Sequence, residues 1–317
     1  MPLASRPEMP GIVVQAACER CPGGLLRKLA GVSRDFREAC AKEAEFRGTP
    51  LPPVAVGLLE TASEVDWALG LGCPPALLVE ALAAGGSVPA LARAFERGAP
   101  LTETACSKAA LRGHLEVLKW LKDNGCPWDE SACANAAETG RLEVLRWLRE
   151  NDCPWDEDTC SDAARGGHLE VLEWLKDNGC PWQEDACASA ARGGHLEVLE
   201  WLKENGCPWD SWACADAAKG GHLEVLEWLR ENACPWDTYT CAFAAVNGHL
   251  EVLKWARLNG CPWDCGVCSV AAQGGHLEVL QWARLNGCPW DNMARVLAEE
   301  EGHLEVLGWL KENGAPE

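Results

Sequence analysis

Positive charge and long apolar runs are scarce in this 317-residue sequence: 28 Lys and Arg face 48 Asp and Glu, a net charge of −20. Such an excess repels phosphate groups, so it argues against binding nucleic acid or an anionic membrane; it fits either solubility or a basic partner. No stretch approaches the roughly 18 consecutive apolar residues that a membrane-spanning helix needs, so we expect no membrane-spanning segment. Residues 1–7 lack the apolar core of a signal peptide.

Patterns that carry catalysis are missing as well. No stretch alternates with a period of two, so no sheet is expected. A glycine-rich phosphate loop normally follows a strand, and we find no such loop in this sequence. We also find no pair of nucleophile and base apart from residues that recur with the sequence repeat. We predict that the chain is not an enzyme and takes no cofactor.

What the sequence has instead is a unit of 27 residues. Its marker position, seven times histidine and once arginine, is occupied by His114, Arg141, His168, His195, His222, His249, His276 and His303. A fixed period of about 20–50 residues is typical of solenoids, in which each repeat packs on its neighbours.

Each unit contains two helical patterns, clearest over residues 128–154. The second helix, at 142–151, has an apolar arc too wide for a single neighbour, whereas the first, at 130–139, has an inner face of Ala and Cys. Gly140 ends the first helix, and Cys-Pro-Trp-Asp follows the second and supplies an Asp N-cap for the next. We predict an all-α fold, an α-solenoid of stacked antiparallel helix pairs. The marker histidine is expected to accept a backbone N–H as N-cap, and the periodic tryptophans to lie in the core.

The segment Thr159-Cys160-Ser161-Asp162-Ala163-Ala164 and the motif Gly-His-Leu-Glu-Val-Leu-x-Trp-Leu-x-x-Asn-Gly resemble the ankyrin repeat family. That family has a period of about 33 residues; the six residues missing here fall between Asp156 and Thr159, where the family forms a β-hairpin. The resemblance therefore implies ankyrin-like helix pairs that repeat every 27 residues and are joined by tight turns without a β-hairpin. It also implies a protein-binding function.

Fourteen of the 19 cysteines form two ladders with the repeat period. They are Cys106, Cys133, Cys160, Cys187, Cys214, Cys241 and Cys268, and Cys126, Cys153, Cys180, Cys207, Cys234, Cys261 and Cys288. Stacked helices lie about 8–10 Å apart, too far for disulfides along a ladder. We predict buried, reduced, metal-free thiols in the cytoplasm or nucleus. A thiol-based metal or redox protein is the alternative from another functional class.

The N-terminal third departs from the regular pattern. We expect a disordered N-terminus at 1–9, a small helical segment at 10–47, two degenerate repeats at 48–100, and eight good repeats at 101–317, the last a C-terminal cap. Residues 29–40 resemble the latter half of an F-box, which would make the chain a substrate receptor of a ubiquitin ligase.

Specificity is expected where the repeats differ. An outward stripe on the first helices, spaced i, i+4, i+7, is polar in three repeats and then turns apolar. The candidate partner-binding residues, predicted on the concave face, are Trp212, Asp216, Tyr239, Phe243, Val246 and Val270. We predict a monomeric, non-enzymatic scaffold that binds a protein or peptide there.

Overall fold

A computed structural model describes residues 62–70 and 74–316. The predicted disordered segment at 1–9 and the helical segment at 10–47, with its F-box-like stretch, lie outside these residues. Throughout the described ranges the regular elements are α-helices and no strand occurs. The predicted all-α fold of helix pairs is confirmed, whereas the predicted domain boundaries and the capping role of the last repeat stay predictions.

The chain forms two compact units, the first ending at Pro154 and the second starting at Trp155, except that residues 137–140 belong to the second. Helices of the first unit are α1 (Ala62–Gly70), α2 (Pro75–Gly85), α3 (Val88–Glu96), α4 (Glu103–Arg112), α5 (Leu115–Asp123), α6 (Glu130–Glu138) and α7 (Leu142–Glu150). The pairs α2–α3 and α4–α5 pack internally, and α2 also packs on α4.

The second unit continues the same alternation. Its helices are α8 (Glu157–Arg165), α9 (Leu169–Asp177), α10 (Glu184–Gly193), α11 (Leu196–Glu204), α12 (Ser211–Gly220), α13 (Leu223–Glu231), α14 (Thr238–Val246), α15 (Leu250–Leu258), α16 (Cys265–Gln273), α17 (Leu277–Leu285), α18 (Met293–Glu300) and α19 (Leu304–Glu312). Each even-numbered helix packs on its own odd-numbered partner and on the next even-numbered helix.

The spacing of the helices follows the sequence repeat. Second helices begin at residues 115, 142, 169, 196, 223, 250, 277 and 304, always 27 apart. First helices keep the same interval from residue 103 to residue 265, and only α18 begins one residue late. In the turn that was expected to lack a hairpin, the chain runs from Trp155 straight into α8 at Glu157.

Small side chains let the first helices approach one another closely. On α10, for example, Ala186, Cys187, Ala190 and Ala191 are completely buried. The second helices contribute larger groups to the same core, a Val and a Leu followed by a Leu or Ala one turn later. First helices carry the smaller side chains because helices whose backbones lie closer together need smaller residues at the contact.

The marker histidine does occupy the N-cap of each second helix, but its predicted ring contact is wrong. His195 makes no side-chain cap hydrogen bond. Its Nε2 instead donates to the carbonyl oxygen of Arg165 in the preceding repeat, at 3.0 Å. The ring lies over Gly167, whose φ is +75° and where an added Cβ would come within 2.5 Å of the ring. The histidine therefore ties consecutive repeats together.

The periodic tryptophans are half-buried, so their placement in the core is also corrected. Trp155 and Trp174 meet edge to face with ring centroids 5.8 Å apart, and the same pairing recurs in the following repeats. The Lys176 ammonium lies 5.6 Å from the centroids of both Trp182 and Trp201. A Trp side chain is long enough to span from the core to the surface, and here the lysine ammonium lies over the ring faces.

All fourteen ladder cysteines are buried, as expected. The structure also joins the two ladders: Cys106 Sγ lies 3.4 Å from Cys126 Sγ within one repeat. Among the described residues, no group of three or more His, Cys, Asp or Glu side chains is placed to hold a metal ion. None of the described helices is long and apolar enough to cross a bilayer.

Candidate interaction surface

The outward stripe of the first helices changes character within the second unit. On α8 and α10 it consists of polar residues, such as Asp158 and Asp162 and then Asp185 and Ser189. On α12 and α14 the equivalent positions hold Trp212 and Asp216, then Tyr239 and Phe243. The helices themselves keep the same length and spacing, so folding does not require the change.

Trp212, Tyr239 and Phe243 form one group, which we call the aromatic cluster. The Trp212 and Tyr239 rings stack with centroids 5.5 Å apart and planes 19° from parallel. Phe243 lies 6.0 Å from each of them. Trp212 is 46% exposed and Tyr239 is 53% exposed, so two large aromatic side chains face solvent side by side.

The helices that carry Trp212 and Tyr239 both begin with an aspartate N-cap. The carboxylate of Asp210 accepts the backbone N–H of Trp212 at 2.9 Å, and that of Asp237 accepts the N–H of Tyr239 at 2.9 Å. The second oxygen of Asp237 accepts the Ser211 hydroxyl at 2.8 Å, which links consecutive repeats. The predicted capping by Asp is confirmed here, with one carboxylate at the start of each helix that carries an exposed ring.

Lys219 belongs to this surface although it was not among the candidate residues. Its ammonium lies 5.5 Å from the centroid of the Phe243 ring. Because Lys219 lies on α12 and Phe243 on α14, this cation–π contact joins two consecutive repeats. The sequence showed that Lys219 belongs to the stripe, but it did not show that the side chain reaches the next repeat.

Asp216 differs from the other candidate residues because it is only 7% exposed. One of its carboxylate oxygens accepts a hydrogen bond from Arg192 of the preceding repeat at 2.7 Å. An equivalent polar position on α8, Asp162, instead pairs with Arg165 of its own helix. Asp216 therefore holds Arg192 in place and presents little surface of its own.

Val246 and Val270 are half-buried and occupy the next stripe positions on α14 and α16. Val246 lies one turn after Phe243 on the same helix, while Val270 is the repeat equivalent of Phe243. Among the candidate residues, Trp212 and Tyr239 are therefore the ones with exposed apolar side chains.

Comparisons with known proteins do not assign this chain to a family. No family profile matches the chain, and no curated protein matches it. Among solved structures, the human ASB11 ankyrin repeat domain is similar, with 20% identity and a TM-score of 0.41 over 55% of this chain and 96% of that one. The regularly spaced helix pairs are consistent with ankyrin-like repeats, and a likeness of this size carries no information about binding.

Proposed function

We propose that this protein is a non-enzymatic scaffold that binds a protein or peptide partner through the aromatic cluster. One observation carries the proposal: Trp212 and Tyr239 are stacked and exposed, whereas the two preceding repeats have Asp158 and Asp185 at this position. Exposing large aromatic side chains brings no advantage to the free protein, and such groups are common anchors of protein interfaces.

The surroundings of the cluster favour a basic partner. The carboxylates of Asp210 and Asp237 cap the helices that carry the rings, and the chain as a whole has a net charge of −20. A Lys or Arg side chain placed over an exposed aromatic face gains a cation–π contact of about 0.5–2 kcal/mol. Lys219 already makes a cation–π contact with Phe243. A cation of the partner would therefore bind Trp212 or Tyr239.

Asp216 has an indirect role in this proposal. By pairing with Arg192 it sets the position of the α10–α12 contact next to the rings. Val246 and Val270 extend the apolar margin of the cluster on α14 and α16. The partner is expected to touch Trp212, Tyr239 and Phe243 directly.

The test is a peptide library displayed on phage and selected against the wild-type chain alone; the recovered peptides are then measured against Tyr239→Ser with Phe243→Asn. These substitutions reproduce Ser131 and Asn135, which occupy the same positions in a repeat that folds. Recovered peptides should combine Lys or Arg with an apolar residue. By calorimetry their affinity should fall about 30-fold in the double variant, corresponding to about 2 kcal/mol for an anchor residue.

A matched control comes from two other exposed apolar residues. Leu258 and Leu285 are 85% and 86% exposed on the second helices α15 and α17. Leu258→Ser with Leu285→Ser should leave the peptide affinity unchanged. Equal binding by the cluster variant, or loss of binding only in the leucine variant, would place the interaction elsewhere. Helical content by circular dichroism must be the same in all three proteins.

A further inference from the structure

Within a repeat, the two cysteine ladders meet as pairs of thiols 20 residues apart in sequence. Cys106 on α4 donates its S–H to the sulfur of Cys126, which follows α5, at 3.4 Å. Cys126 in turn donates to the carbonyl oxygen of Thr102 at 3.3 Å. The same thiol contact joins Cys187 to Cys207, Cys214 to Cys234, and Cys241 to Cys261.

These contacts polarise each pair. The hydrogen bond that Cys126 receives from Cys106 lowers the pKa of the Cys126 thiol, and burial opposes this effect. The same hydrogen bond, together with burial, raises the pKa of Cys106. Cys207 and Cys187 repeat the arrangement. Each pair therefore has one sulfur better suited to become the nucleophilic thiolate.

The repeats differ in how well they cover that sulfur. Where the second helix carries Arg230 or Arg257, the guanidinium donates to the carbonyl oxygen of Cys234 or Cys261 and stacks on the following tryptophan at about 4 Å. Both of these cysteines are 0% exposed.

Lysine at the same position leaves the turn more open. Lys122 and Lys203 reach forward to Asn151 and Asn232 of the next repeat. Cys126 and Cys207 are then 8% and 7% exposed. The Lys-to-Arg difference, a single residue per repeat, thus coincides with a small difference in the exposure of the cysteine that follows the second helix.

We propose that Cys106–Cys126 and Cys187–Cys207 are dithiol modification sites that a hydroperoxide oxidises to disulfides within a repeat, whereas the arginine-covered pairs Cys214–Cys234 and Cys241–Cys261 react more slowly. The thiolate of Cys126 or Cys207 attacks the O–O bond, forms a sulfenic acid and releases hydroxide. The partner sulfur then attacks, an S–S bond forms, and the hydroxyl leaves as water with the partner's proton. In total, two thiols and one hydrogen peroxide give one disulfide and two waters.

The experiment uses the full-length, fully reduced chain in buffer without reductant. Hydrogen peroxide is added in slight excess, samples are alkylated over time, and proteolytic peptides are identified by mass spectrometry. Cross-linked peptides joining Cys106 to Cys126 and Cys187 to Cys207 should form first, each with the loss of two hydrogens. A dithiol reductant should restore the free thiols.

Exchange of one residue supplies the matched variants. Lys203→Arg should slow disulfide formation at Cys187–Cys207 to the rate of the covered pairs, and Arg230→Lys should accelerate it at Cys214–Cys234. Both residues already occur at this position in folded repeats, so neither variant is expected to unfold.

Two results would overturn the proposal. One is oxidation at equal rates in the lysine and arginine repeats, unaffected by either exchange. The other is irreversible oxidation of single cysteines, or disulfides between chains, in place of the links within a repeat.

Discussion

Two parts of the second unit share one framework and differ in one stripe. The repeats at 157–183 and 184–210, here the polar repeats, carry Asp158, Asp162, Asp185 and Ser189; those at 211–237 and 238–264, the aromatic repeats, carry Trp212, Asp216, Tyr239 and Phe243. First helices of 9 or 10 residues and the histidine contact to the preceding repeat occur in both. Ala233 and Asn247 replace turn glycines in the aromatic repeats, and the helix pairs are kept. The framework positions therefore specify the fold, whereas the stripe can vary without changing the helix pairs.

The largest expected effect is a loss of stability when a buried leucine common to both kinds of repeat is truncated. Leu172 in a polar repeat and Leu226 in an aromatic repeat are both completely buried. Leu172→Ala and Leu226→Ala should each lower the free energy of unfolding by about 2–5 kcal/mol, through lost burial and the cavity left behind. Urea denaturation followed by circular dichroism measures both. A much smaller loss at Leu226 would mean that the framework is looser beneath the aromatic cluster.

The next prediction moves the cluster from one region to the other. In the Tyr239→Ser, Phe243→Asn background, the changes Asp158→Trp, Asp185→Tyr and Ser189→Phe rebuild the three rings two repeats earlier, with Arg165 at the position of Lys219. Peptide affinity should largely return, a gain of about 1–2 kcal/mol, because aromatic anchors determine it. Calorimetry with the selected peptides measures the gain. No recovery in a fully helical variant would show that the stripe alone is insufficient.

A smaller effect separates the two aspartates at equivalent positions. Asp216 accepts a hydrogen bond from Arg192 of another repeat and its side chain is 10% exposed, whereas Asp162 pairs with Arg165 of its own helix and is 25% exposed. Asp216→Ala should cost about 1–2 kcal/mol of unfolding free energy, reduced from the buried limit because Arg192 reaches solvent. Asp162→Ala should cost about 0–1 kcal/mol. Equal losses in urea denaturation would contradict the difference in burial.

The smallest effect depends on pH. Burial raises the pKa of Asp162, although Arg165 opposes the shift. Because a raised pKa penalises the charged form in the folded state, the penalty is present above the folded pKa and disappears below the unfolded one. Asp162→Asn should therefore raise the urea midpoint slightly at pH 7 and leave it unchanged at pH 3. A lower midpoint at pH 7 would mean that the pairing with Arg165 dominates.

Much of the candidate site could be predicted because it rests on local rules. The i, i+4, i+7 spacing on one helix places Trp212 with Asp216, and the 27-residue period places Tyr239 beside Trp212. The exposure of each stripe residue could not be obtained this way. Asp216 and Phe243 share a stripe position, yet one is buried and the other half-buried, because neighbouring repeats contribute different side chains against them.

The sequence by itself determined the period, the helix pairs, their glycine and aspartate boundaries, and the missing hairpin, since these depend on backbone propensity and on residues close in the chain. Only the tertiary structure decided that His195 donates to the carbonyl of Arg165, that Trp174 remains half-buried, and that Cys106 meets Cys126. The His195 contact joins two repeats, and the Cys106 contact joins a helix to a turn 20 residues away. Their geometry is set by how far each helix is rotated about its axis when the stack closes, and a spacing in the sequence does not fix that rotation.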